Sequence, residues 1–162
     1  MENRKITKIQ YKGDKLLIQW EQIRNGHTDR KSLESKVEPH PHFLDALRTL
    51  DKPLCVEAEL PQNEDEYKRH DIHSVILKYD QDDAGNDIMS ASIISERFMQ
   101  TSPEPMKIAT PMKPEQSTGH DVALDSKTVE RIDLLIQEAV AYLEGKRLDL
   151  FAQNEGEMEV AR

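Results

Sequence analysis

The chain has 162 residues, of which 36% are hydrophobic and 5% aromatic, enough for one domain with a thin core and a tail. Its 31 acidic and 22 basic side chains leave a net charge of −9, which disfavours a duplex-DNA binder, because such domains carry a strongly basic face. The single cysteine, Cys55, excludes an internal disulfide and any two-cysteine zinc or redox motif.

The charge is unevenly spread: residues 1–38 carry +3, residues 39–100 carry −7 and residues 101–162 carry −5. No apolar run approaches the roughly 18 residues that span a bilayer. Met1 to Lys5 lacks the apolar stretch of a signal peptide. The expectation is a soluble, cytoplasmic chain with no membrane contact.

In chain order, residues 5–12 and 15–24 read as two strands around a tight turn at Gly13–Asp14. The second strand alternates. Leu16, Ile18 and Trp20 form its core face, and Leu17, Gln19, Glu21 and Ile23 the opposite face. Asn25–Gly26 is the clearest hairpin signal, so the polar run 28–37 is expected as a third, edge-like strand. Its charges would discourage edge-to-edge aggregation.

Pro39-His40-Pro41-His42 breaks the sheet and opens a helix with Phe43, Leu44, Leu47 and Leu50 at helical spacing. Pro53 ends or kinks it, and Leu54, Val56 and Leu60 can continue as a second short piece. Pro61 to Arg69 reads as an acidic loop. Residues 70–79 and 87–99 form a second hairpin, whose turn is supplied by Asp80 to Asp87.

Four prolines (Pro103, Pro105, Pro111, Pro114) mark an extended connection, within which Met106 to Ala109 can add a short strand. Residues 126–144 are the best helix, capped by Ser126 or Asp125 and stopped by Gly145. Its apolar stripe (Val129, Ile132, Leu135, Ile136, Ala139, Val140, Leu143) is wide enough to dock on a sheet. The fold class is therefore α+β: an antiparallel sheet of about five strands, in two hairpins, with one or two helices packed on one face. The order is ββ(β)αββ(β)α. Residues 1–146 form the domain, and 147–162 a C-terminal peptide and polar tail.

Residues able to carry chemistry are few. His40-x-His42 and His70-x-x-His73 would bind a metal only if the two pairs met in space, and neither a metal nor a cofactor is expected. Asp80 to Asp87 resembles a calcium loop but has Ala84 at the fifth position and Ala91 at the twelfth. An acidic turn is the expectation. Cys55 sits in an apolar helical context that suits a buried, inert thiol. No phosphate-binding or nucleophile-elbow motif is present, so no enzyme is expected. Lys8, Lys12 and Lys15 could contact nucleic acid from the first hairpin, with Tyr11 and Trp20 as stacking or core residues.

The ending is more specific. Arg147-Leu148-Asp149-Leu150-Phe151 resembles the QL[SD]LF peptide by which bacterial polymerases and repair proteins dock on the sliding clamp, with Arg147 in place of the usual Gln. Leu148, Leu150 and Phe151 are apolar anchors of the kind that fill a preformed pocket. The same side chains could instead finish packing the last helix.

Three segments, HPHFLDALRTL (His40 to Leu50), ATPMKPE (Ala109 to Glu115) and AVAYLEGKRLDLF (Ala139 to Phe151), resemble a group of phage- and prophage-encoded proteins. That resemblance implies a bacterial host cell and a setting among replication, recombination and single-strand DNA-handling genes, and it assigns no reaction.

The leading expectation is a non-enzymatic phage accessory protein of DNA replication or recombination, docked on a bacterial sliding clamp through residues 147–151. An acidic inhibitor of a host defence nuclease, acting through residues 57–87, is the alternative. A single-stranded DNA binder using Lys8, Lys12 and Lys15 is the third reading. A homodimer is compatible with each, because an edge strand and an apolar helix stripe can both support one.

Overall fold

The computed structural model describes residues 4–117 and 122–147. Three strands open the chain: β1 (Arg4–Lys12), β2 (Lys15–Arg24) and β3 (His27–Ser35). Both turns between them have positive φ at their two central residues, 57° and 66° at Gly13–Asp14 and 51° and 77° at Asn25–Gly26. That is the type I′ geometry whose twist matches a right-twisted strand pair. The helices α1 (Pro41–Arg48), α2 (Asp51–Glu57) and α3 (Glu64–Tyr67) follow. The second hairpin is β4 (His70–Gln81) and β5 (Asp87–Arg97), and the chain continues through β6 (Met106–Ala109), β7 (Lys113–Pro114) and α4 (Ser126–Leu143).

All strands pair antiparallel in one sheet, in the order β3-β2-β1-β4-β5-β6, with β7 beside β5. The fold is α+β, as the sequence pattern implies, with seven strands rather than about five. The proline-rich connection supplies two of the seven: β6, the short strand expected at Met106 to Ala109, and β7, an addition. There β6 pairs with the end of β5 (Arg97↔Met106), and β7 pairs further along it (Ala91↔Lys113).

One face of the sheet holds the core. Ile9, Ile18, Val75 and Ile93 lie across four adjacent strands, with Ile9↔Ile18, Ile9↔Val75 and Val75↔Ile93 as register partners, and each is essentially solvent-free. Two bulges shift the alternation, one between Ile6 and Lys8 and one between Ile72 and Ser74. Each extra residue lets side chains three apart, Ile6 with Ile9 and Ile72 with Val75, face the core together.

Against this face α4 lays Ile132, Leu135, Ala139 and Tyr142, and α1 lays Phe43, Ala46 and Leu47. The burial of each large side chain contributes on the order of 2 kcal/mol. No described helix is long and apolar enough to cross a membrane.

The helix break falls ahead of Pro53. Thr49 caps α1, Leu50 is the N-cap of α2, and Pro53 sits in the first turn of α2. A continuous helix would need an N–H from residue 53 to Thr49, and proline has none. The stretch read as an acidic loop contains α3, capped by Asn63, whose side chain accepts from the Glu66 N–H at 2.9 Å.

The end of α2 closes with Leu60 N–H on the Cys55 carbonyl (2.9 Å) and Glu59 N–H on the Val56 carbonyl (3.3 Å). This places the exposed Glu59 in the left-handed region at φ 58°, where a Cβ is unfavourable. Glu59→Gly should therefore raise stability by about 0.5 to 1 kcal/mol, the strain relieved less the extra freedom given to the unfolded chain. A urea titration reads the change, and a lower midpoint would contradict the account.

Candidate partner-binding site

The C-terminal end of α4 is fixed by ordinary helix-termination chemistry. Gly145, at φ 109°, lets its own N–H reach the Tyr142 carbonyl (3.0 Å) and the Lys146 N–H reach the Ala141 carbonyl (2.9 Å). The paired bonds form a Schellman cap that only a left-handed residue allows. Tyr142 is fully buried. Its hydroxyl donates to the Val37 carbonyl at 2.8 Å and stands 2.9 Å from Ser35 Oγ, so α4 is tied to the chain leaving β3.

The next two residues are held as well. The Lys146 ammonium pairs with Glu138 at 3.1 Å and donates to His42 Nδ1 at 3.1 Å. Arg147 makes an antiparallel bridge with Pro39, and its guanidinium lies 4.2 Å from the centroid of the Tyr142 ring, a cation–π contact. Of the five residues expected to dock on a partner, Arg147 is thus engaged with its own domain. Leu148, Asp149, Leu150 and Phe151 lie outside the described residues.

The three lysines of the first hairpin share the outer face of the sheet, Lys12 directly opposite Lys15 and Lys8 four residues away along β1. Lys12 pairs with Glu96 at 3.1 Å and Lys15 with Glu34 at 3.2 Å, while Lys8 sits mid-sheet opposite Gln19 and Ile76. Two of the three ammoniums therefore spend their field on carboxylates of the same chain, which reduces what they offer a phosphate backbone.

Tyr11 and Trp20 are partly buried and pack against the core. The Tyr11 ring meets Phe43 edge-on at 6.5 Å, an arrangement that leaves it poorly placed to stack on a base.

The two histidine pairs have different roles. His40 Nδ1 accepts from the His42 N–H at 3.1 Å and so caps α1. His73 sits at the β4 bulge with Nδ1 2.7 Å from Ser74 Oγ, and burial, with Lys12 nearby, pushes its imidazole below the ordinary range. Among the described residues, no three of His, Cys, Asp and Glu converge in a way that could hold a metal ion.

In the Asp80 to Asp87 turn the Asp82 carboxylate accepts from Ala84 and Asn86 N–H groups (2.9 and 2.8 Å), and Asp87 pairs with Lys5 at 3.2 Å. These are the contacts of an acidic turn. Within the acidic stretch 57–87, Glu57 is also turned inward. It takes the Lys113 ammonium on Oε1 and the Asp125 N–H on Oε2, both at 2.9 Å. Cys55 is buried, and burial raises its thiol to about 11, so it stays protonated and unreactive at neutral pH.

A further cluster was not anticipated from the sequence. Glu66, from α3, receives the Arg97 guanidinium on both oxygens (2.7 and 2.9 Å) and the His70 Nε2 at 2.7 Å, while His70 Nδ1 lies 3.0 Å from Ser95 Oγ. An ionised carboxylate only accepts, so Nε2 carries a proton; in the neutral imidazole Ser95 donates to Nδ1, and in the imidazolium it accepts. The hydroxyl–imidazole–carboxylate row has the composition of a nucleophilic relay, but Ser95 and the His70 side chain have no exposed surface. In this arrangement a substrate has no route to the hydroxyl, and the row acts as a clasp that pins α3 across the end of the β4–β5 hairpin. The Glu66-x-x-x-His70 spacing was the available signal, though the partner Arg97 is fixed only by the hairpin register His70↔Arg97.

Comparison with protein-family models, with curated proteins and with solved structures gives no match to this chain.

The clasp sets an acid limit. The Arg97 hydrogen bonds, opposed by burial and assisted by His70, hold Glu66 well below its ordinary 4.5, at about 2. A carboxyl lowered on folding contributes stability above its unfolded value and loses it as pH falls towards the folded one. Glu66→Gln should cost about 3 kcal/mol at neutral pH, and should remove most of the decline in stability between pH 4.5 and about 2. Urea unfolding at a series of pH values measures both. An acid branch as steep as that of the unaltered protein would refute the assignment.

Proposed function

We propose that this chain is a non-enzymatic accessory protein of DNA replication or recombination that docks on a bacterial sliding clamp through Leu148, Leu150 and Phe151. The observation that carries the reading is the match of Leu148-Asp149-Leu150-Phe151 to the clamp-docking pattern, directly after the last described anchor, Arg147. A short segment with three apolar anchors binds by filling a preformed pocket, and needs little from the domain beyond a fixed point of departure. The likeness of His40 to Leu50, Ala109 to Glu115 and Ala139 to Phe151 to phage- and prophage-encoded proteins supports the replication setting.

The other two readings gain less support. The acidic stretch has carboxylates turned inward at Glu57 and Glu66, and the first hairpin has two of its three candidate lysines already paired.

Binding of the full chain to immobilised clamp tests the proposal. Changing Leu150→Ala and Phe151→Ala together should weaken binding by at least about 2 kcal/mol, roughly thirtyfold, with the melting temperature of the domain unchanged. Equal affinity of the two proteins would overturn it.

A further inference from the structure

β3 is the outer strand of the sheet, and among the described residues nothing pairs with its free edge. It runs nine residues in unbroken register with β2, from Leu16↔Ser35 to Arg24↔His27. No bulge twists that edge away from a further strand, and a long regular edge is a template for strand addition unless its side chains prevent it. The side chains are charged, but their order matters more than their number.

We propose that the free edge of β3 pairs antiparallel with β3 of a second copy of this chain, about a two-fold axis at Ser32. An axis perpendicular to the sheet keeps both outer faces on one side, and because side chains alternate, it must pass through a residue. Through Lys31 it would set two ammoniums directly opposite each other. Through Leu33 it would set Arg30 against Lys36, twice. Through Ser32 it sets Arg30 against Glu34 of the second copy, twice, with a small serine at the centre and Lys31 beside Leu33 on the other face. Only the last of these three is complementary, and like charges directly opposed are unfavourable.

Arg30 and Glu34 are presented for this. Their side chains are 87% and 59% exposed, and both belong to the outer face, where Arg30 lies 3.7 Å from Glu21 and Glu34 lies 3.2 Å from Lys15. Pairing at Ser32 extends these contacts into a row of alternating sign: Glu21, Arg30, then Glu34 and Lys15 of the second copy. The same charges that reject neighbouring registers select this one, and main-chain hydrogen bonds along the two strands supply the affinity. This surface is independent of the clamp reading.

The test is the mass of the full chain in solution over a concentration series, by sedimentation or light scattering. The unaltered protein should reach a dimer that weakens with added salt. Arg30→Glu and Glu34→Arg, taken singly, should each weaken dimerisation by at least about tenfold while leaving the thermal melt intact. Mixing the two altered chains should restore a dimer, because each then offers the charges the other lacks. A purely intramolecular role for these side chains predicts no such rescue. A monomer at every concentration, dimers undiminished in both variants, or a mixture that stays monomeric would each overturn the proposal. The first would leave the edge to a strand from some other protein.

Discussion

Tyr142 is where the two halves of the architecture meet. Among the described residues it is the largest fully buried side chain, and its hydroxyl bonds Val37 and Ser35 as the chain leaves β3, while its ring carries the Arg147 guanidinium. Without that hydroxyl partner, the last turn of α4 would bury a polar group unpaired. With it, α4 is registered on the sheet so that Ile132, Leu135 and Ala139 cover the row of strand isoleucines and valines. One residue therefore fixes both how the core is closed and where the C-terminal segment departs.

A thin apolar core needs other means to place the short pieces. α2 and α3 have seven and four residues, too few to be stable by themselves. Each is attached by a buried carboxylate. Glu57 joins α2 to Lys113 of β7 and to the N-cap residue of α4, and Glu66 joins α3 to His70 and Arg97 at the end of the second hairpin. Buried ion pairs add little net stability over apolar replacements, but breaking one is costly. Removing either partner would leave a buried charge unpaired where the short helix meets its neighbour. The acidic excess of the chain is thus partly structural, since two of its carboxylates act as internal fasteners rather than as surface charge.

Local chemistry made the hairpins, α1 and α4 readable, because a type I′ turn, a proline at a helix start and a glycine after a helix end each act within a few residues. The core face of β2 followed from strict alternation. The bulges in β1 and β4 were not readable, as an inserted residue disguises a strand as an irregular apolar run. The extra strand β7 escaped because Lys113–Pro114 has no apolar pattern and exists only through pairing with Ser90 and Ala91. The clasp at Glu66 was hidden for the same reason: its members are 31 residues apart at the widest and meet only when the hairpin and α3 are assembled. The clamp-docking resemblance is a matter of the peptide motif alone, while the engagement of Arg147 by Tyr142 depends on a helix terminus that the motif does not encode.

The proposed docking of residues 148–151 on a sliding clamp is spatial as well as energetic, and amide hydrogen exchange on the full chain, with and without a bacterial sliding clamp, tests it most directly. The account predicts that the clamp slows exchange at Leu148 to Phe151 and leaves the sheet and α4 unchanged. Slowed exchange in the first hairpin or in the Asp80 to Asp87 turn, with residues 148–151 unaffected, would contradict it.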